Sequence, residues 1–248
     1  MMRWWVLLAI GMWVQPVRAE TVTVMSAGAF RAVVEAVVPG HTAATGDRVV
    51  VLTDTAGGLA RRIEAGEAFD LAVITPGAIN DLAAKGKVVG PAIPLARVGI
   101  GVAVRSGVAL PDISTEAAFK ASLLSVRRIA MIDPASGGSS GIYLMGLFER
   151  MGIADQIRGK LVLQSGGYVA EQVAQGKADI ALHQVSEILP VSGVTLVGPL
   201  PASIQNETIY AAGVAAGAPR PAAERLLARL RAADMGAVLA GKGMLPAK

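Results

Sequence analysis

Short apolar runs separated by loops of small residues set the rhythm of this chain. Val22-Thr23-Val24-Met25 predicts a buried strand, followed by the loop Ser26-Ala27-Gly28-Ala29 and a helical stretch from Phe30. Val49-Val50-Val51-Leu52 predicts a second strand, followed by the loop 53–58. A helix comes next, with Leu59 and Ile63 on one face and Gly66 as its stop. Asp70 to Ile74 is a third strand, and Val98 to Val104 a longer one rich in β-branched residues. Ile129 to Ile132 predicts another strand, which leads through the loop 133–141 into a helix carrying Leu144, Met145, Phe148 and Met151. Leu161 to Leu163, a further helix, and Ile180 to Leu182 follow. A strand pair is expected between Val194 and Ala216, then one helical tail from Pro221 to Leu239 with Leu226, Leu227 and Leu230 as its stripe. Strands alternating with helices through short loops imply an α/β fold with a mostly parallel sheet covered on both faces.

An internal similarity divides the chain in two. Residues 55–66 read TAGGLARRIEAG and residues 165–176 read SGGYVAEQVAQG, each followed shortly by an Asp that opens an apolar strand, at Asp70 and Asp179. A unit of hydroxyl-bearing loop, helix, glycine stop and strand thus occurs once in each half. Two lobes of like construction are expected.

Composition narrows the setting. Arg3, the apolar stretch Trp4 to Val14, Pro16 and the small residues around Val17-Arg18-Ala19 have the layout of a signal peptide cleaved after Ala19. That stretch is about half the ~20 residues a helix needs to span a bilayer. Without Arg3 and Arg18 the 23 basic residues fall to 21 against 19 acidic, a net of +2, and no basic run stands out. Nucleic acid is therefore not an expected partner. With 0 cysteines, disulfides, a thiolate nucleophile and Cys-ligated zinc are excluded. A periplasmic protein fits these features.

Candidate chemistry gathers at the strand–helix junctions. In open α/β sheets ligands bind beyond the carboxyl ends of strands, and here the loops 26–29, 53–58, 133–141 and 165–168 are built from small or hydroxyl residues. First-turn N–H groups of the following helices lack intrahelical partners and carry partial positive charge, so such junctions bind anions without Lys or Arg. Thr55, Ser139, Ser140 and Ser165 add hydroxyls. Taken one at a time, such residues are also ordinary turn and N-cap residues. His183 ends a predicted strand at the cleft mouth, Arg31 follows the first loop, and His41, after Pro39-Gly40, reads as an exposed loop residue. No GxSxG, HExxH, phosphate-binding or calcium-binding loop is present, and no cofactor or metal is expected.

The segments VTVMSAGAF (22–30), GGLARRIEAGEAFDLAVI (57–74), IDPASGGSSGIY (132–143) and ADIALHQVSEI (178–188) resemble the periplasmic molybdate-binding proteins and their type 2 solute-binding relatives. The resemblance implies two α/β lobes joined by crossing strands, a ligand cleft between them, a monomer, and delivery of a small anion to an ABC permease. It places lobe 1 at 20–98 and 197–248, lobe 2 at 99–196, and the hinge near 97–104 and 190–200. The site it implies is Ala27, Gly28, Ala29, Thr55, Ala56, Ser139, Ser140, Gly167, Tyr168 and His183. Ala29 and Ala56 stand where molybdate binders place serines, and His183 where they commonly have tyrosine, which keeps a small organic carboxylate open beside a molybdate-like oxyanion. A second class, an exported isomerase similar to aconitate isomerase on the same fold, would use His183 or Glu187 as a proton-shuttling base.

Overall fold

The computed structural model describes residues 19–247. Of the expected signal segment 1–19, residues 1–18 lie outside them. Strand β1 (Thr21–Ala27) leads into helix α1 (Gly28–Thr45), which buries Phe30, Val33, Val34, Val37 and His41 on one face. The helix runs through Pro39, so His41 falls four residues beyond Val37 on the inner face. It is buried, not exposed in a loop, with Nε2 3.5 Å from Asp47 Oδ2. Strand β2 (Arg48–Asp54), helix α2 (Ala56–Glu64), strand β3 (Leu71–Ile74) and helix α3 (Pro76–Ala84) complete the first series. The 18-residue strand β4 (Val88–Arg105) then carries the chain into the second half.

There, helix α4 (Glu116–Ser125), strand β5 (Ile129–Ile132), helices α5 (Ser139–Arg150) and α6 (Ala154–Arg158), and strand β6 (Leu161–Gln164) repeat the alternation. Helix α7 (Ala170–Ala174), strand β7 (Ile180–Gln184), helix α8 (Val185–Ile188) and strand β8 (Val194–Pro199) follow. Strand β9 (Glu207–Ala215) returns to the first half, which ends with α9 (Pro221–Leu230), α10 (Met235–Gly241) and the short β10 (Leu245–Pro246). The single tail helix expected from Pro221 to Leu239 is broken at 231–234. Met235 lies five positions after Leu230, out of helical phase, and the break turns Met235 and Leu239 back onto the core.

Strand order is β2-β1-β3-β9-β4-β7-β5-β6, with β8 and β10 also on β4. Each half has a parallel trio, β2-β1-β3 or β6-β5-β7; β9 pairs antiparallel with β3 of the first, β4 antiparallel with β7 of the second, and β4 and β9 pair antiparallel with each other. Strand β4 pairs with β9 over Val88–Gly99 and with β7 over Ile100–Val104, so a single strand belongs to both sheets.

The cores are separate. One joins α1, α2, α9 and α10 around Val24, Leu71 and Tyr210. In the second half, alternation divides the sheet's two faces. Val102, Val104, Ile129 and Met131 pack under Phe119 and Phe148, while Ala103, Ala130, Ile132 and Ala181 pack under Val169 and Val173. The result is a mixed α/β fold of two lobes flanked by helices, with the carboxyl ends of both parallel trios facing a common cleft.

Candidate functional site

A cavity of about 730 Å³ lies between the two halves. Its first wall comes from the β1–α1 and β2–α2 junctions, and its second from β5–α5, the loop after β6, and the end of β7. Helix α1 starts after Ala27 and helix α5 after Gly138, neither with a side-chain cap, and the first residues of both helices line the cavity. Their first-turn amides therefore offer unpaired donors and the positive ends of two helix dipoles, one from each half. Helix α2 behaves differently. Thr55 Oγ1 accepts from Gly58 N (3.0 Å) and donates to Ser136 O across the cleft (2.6 Å). Gly57 N donates to Gly137 O (3.1 Å), and Arg61 Nη2 to Ser136 O (2.8 Å). The hydroxyl and amides of this junction hold the two halves together.

The floor of the cavity is polar and buried. His183, Gln184, Glu187 and Tyr210 line it. Gln184 Nε2 donates to Thr208 Oγ1 (2.9 Å) and lies 3.3 Å from Ser139 Oγ, which is 3.4 Å from Tyr210 Oη. His183 Nε2 sits 3.2 Å from Glu187 Oε2. Among the described residues, His183 Nδ1 and Gln184 Oε1 have no hydrogen-bond partner. Burial pushes the Glu187 carboxyl up to about 8 and the His183 imidazole down to about 3. The pair is thus uncharged at neutral pH, with the proton on the carboxyl. Burial, with the Glu187 charge adding to it, also raises the Tyr210 phenol, which stays protonated. Arg31, paired with Glu35 (2.7 Å), and Arg61 lie at the rim, as does Asp54, whose Oδ1 accepts from Thr55 N (2.7 Å).

Glu187 packs closely against the start of α1. A Cβ built at Gly28 would overlap Glu187 Oε1, so a larger residue there would make the carboxyl shift. Among the described residues, no group of three or more His, Asp or Glu is placed to hold a metal ion.

The family model described as "Bacterial extracellular solute-binding protein" matches residues 22–245. The chain belongs to that family. A protein from Pseudomonas sp named aconitate isomerase is 31% identical over 240 residues, covering 94% of this chain and 89% of that protein. The periplasmic molybdate-binding protein of Azotobacter vinelandii superposes with a TM-score of 0.76 at 18% identity, covering 92% of this chain and 100% of that one. The sulfate-binding protein SubI of Mycobacterium tuberculosis gives 0.74 at 18% identity, covering 92% and 88%. These two are likenesses of fold.

In this solute-binding protein Ala27, Gly28, Ala29, Thr55, Ala56, Ser139, Ser140, Gly167 and His183 all reach the cavity. Tyr168 does not. It lines a neighbouring cavity of about 400 Å³ with Glu35, Ser186 and Leu189. The second copy of the repeat opens no helix at Gly166. Gly167 is left-handed (φ 76°), α7 begins only at Ala170, and Tyr168 is carried to the other side of the loop. Gln184, Tyr210, Arg61 and Ser136 escaped the sequence-derived site. Tyr210, one of 3 tyrosines, comes from β9, far along the chain. Its inward register beside Thr208 in an otherwise apolar strand was the available signal.

Proposed function

We propose that this protein captures a small organic acid bearing two or three carboxylates in the interlobe cleft, in the periplasm, after cleavage of residues 1–19. One observation carries the reading: two uncapped helix N-termini, one from each half, open onto a single cavity of about 730 Å³. Each end suits one negative group, and the volume lies within the range of organic-ligand pockets. A compact tetrahedral dianion would leave much of it unfilled. Thr55 is committed to Ser136 and positions 29 and 56 are alanines, so these three positions offer such an oxyanion no free hydroxyl.

In this reading the lobes, 20–98 with 197–248 and 99–196, move about the crossing strands near 97–104 and 190–200. The monomer then hands its ligand to an ABC permease. Calorimetry of the mature chain against cis- and trans-aconitate, citrate, succinate, molybdate, tungstate and sulfate tests the proposal. Binding confined to the polycarboxylates is expected. Tight binding of molybdate or sulfate with silent carboxylates would reject it. A second reading, turnover of the bound acid, is favoured by the buried His183–Glu187 pair and by the likeness to aconitate isomerase.

A further inference from the structure

We propose that Glu187 is the group that moves a proton between two carbons of a bound allylic polycarboxylic acid, with His183 as its positioning residue. The proposal rests on the organic-acid reading of the cleft and adds a reaction to it.

Elimination among the groups on the cavity wall points to one base. Asp54 accepts the Thr55 amide and lies 3.6 Å from Arg62, so its carboxylate is already committed. Tyr210 keeps its proton, and burial leaves His183 too weakly basic. Ser139 and Ser140 have no base aligned on them other than Gln184, which is not one. Glu187 remains. It is buried yet on the cavity wall, its Oε2 lies 3.2 Å from His183 Nε2, and its Oε1 packs against Gly28 at the start of α1.

The titratable groups around it are His183 on β7, Tyr210 on β9, Tyr168 on the loop before α7, and Arg31 on α1. None of them neutralises it by direct ion pairing, because Arg31 is paired with Glu35. A carboxyl raised to about 8 by burial is well matched to proton transfer near neutral pH. A neutral imidazole beside it can accept from the carboxylic acid or donate to the carboxylate, and so holds the group through both forms.

The step balances without a redox partner. In an acid with the unit –CH2–C=CH–, ionised Glu187 takes a proton from the CH2 carbon. That C–H pair forms a new double bond to the central carbon, and the old double-bond pair moves to the far carbon. The far carbon takes the proton back from Glu187. Nothing is oxidised or reduced, and the double bond re-forms cis or trans. Charge that spreads onto the flanking carboxylates in between falls on the amides of α1 and α5.

The test is proton NMR of the mature protein with cis- and with trans-aconitate, in H2O and in D2O. Expected are interconversion, deuterium entering the allylic position, and a kcat/KM that rises with pH through a limb near 8. Glu187→Gln is expected to lower kcat about a hundredfold or more. His183→Ala is expected to lower kcat and move the limb. Binding with neither interconversion nor exchange, a limb absent between pH 6 and 9.5, or a Glu187→Gln protein within threefold of wild-type kcat would overturn the proposal and leave the organic-acid reading standing. Failure of every polycarboxylate to bind would remove both.

Discussion

Replacing Gly57 by alanine should hold this protein open without harming its fold. Gly57 lies in α2 with ordinary helical geometry, so alanine there favours the helix by up to about 1 kcal/mol. With the two halves in contact as they are here, however, the added Cβ would sit 2.8 Å from Gly137 Cα and 3.0 Å from Gly137 O. Non-bonded carbons pack at roughly 3.5–4.0 Å, and both partners here are backbone, so neither can swing aside. Separating them stretches Gly57 N–Gly137 O (3.1 Å), Thr55 Oγ1–Ser136 O (2.6 Å) and Arg61 Nη2–Ser136 O (2.8 Å) together. At about 1 kcal/mol net per bond, and less for the exposed arginine, the closed form loses about 2–3 kcal/mol. If ligand is held only by the closed form, affinity falls roughly 30- to 150-fold. Two measurements check this: titration with trans-aconitate, and small-angle scattering of the unliganded chain, in which the variant should show a larger radius of gyration. A Gly57→Ala protein that binds within threefold of wild type and scatters identically would show that the 55–61 and 136–137 segments do not latch the lobes.

Three further outcomes follow from named contacts. Glu187→Gln should raise the thermal midpoint at pH 8–9 and leave it nearly unchanged at pH 4.5. The native carboxyl keeps its proton up to about 8 whereas the unfolded one loses it near 4.5, so wild-type stability falls across that window by several kcal/mol; a pH-independent difference in midpoint would contradict the burial argument. Asp47→Asn should cost about 3 kcal/mol in urea unfolding, because fully buried Asp47 takes both Arg225 bonds (2.8 and 2.9 Å) and the Glu20 amide (3.0 Å). Its carboxyl lies below the ordinary range chiefly through Arg225, so the wild-type advantage should fade as pH drops below the unfolded carboxyl's pKa. Arg61→Ala should weaken titration only a few-fold, since an exposed cation contributes less than about 1 kcal/mol; a loss as large as that of Gly57→Ala would mean that Arg61 contacts the ligand itself.

The order of elements was legible because each strand is a compact apolar run and each junction a run of small residues. Val22-Thr23-Val24-Met25 before Ser26-Ala27-Gly28-Ala29 is the plainest case, and it locates the end of β1 and the start of α1. What local pattern does not carry is commitment across the cleft. Thr55 reads as a free hydroxyl until the Ser136 carbonyl, 81 positions away, accepts its hydrogen bond. Tyr210 and Gln184 enter the site only through the pairing of β9 and β7 with β4. The repeat at 55–66 and 165–176 overstated likeness in the same way. Ala56 continues into a helix while Gly166-Gly167 bends away first, and Tyr168 is lost to the site as a result. His41 was misplaced by trusting Pro39 as a stop when the surrounding apolar spacing, Val37 to His41, was helical throughout.

A site made of backbone amides is indifferent to protons, because its donors do not titrate. Against that background the Glu187–His183 pair is the part of the cleft floor whose charge can change near neutral pH. Keeping a carboxyl in that buried place lowers stability at every pH above its unfolded pKa. A glutamine would fill the same space, satisfy His183 Nε2, and disfavour no bound anion. A protein that only held and released an acid would therefore gain stability and freedom from pH from Glu187→Gln above the carboxyl's unfolded pKa. A glutamate kept at that cost is what the proposed proton transfer would require. Binding alone and proton transfer therefore predict opposite outcomes for this one side chain, which lies against the Cα of Gly28.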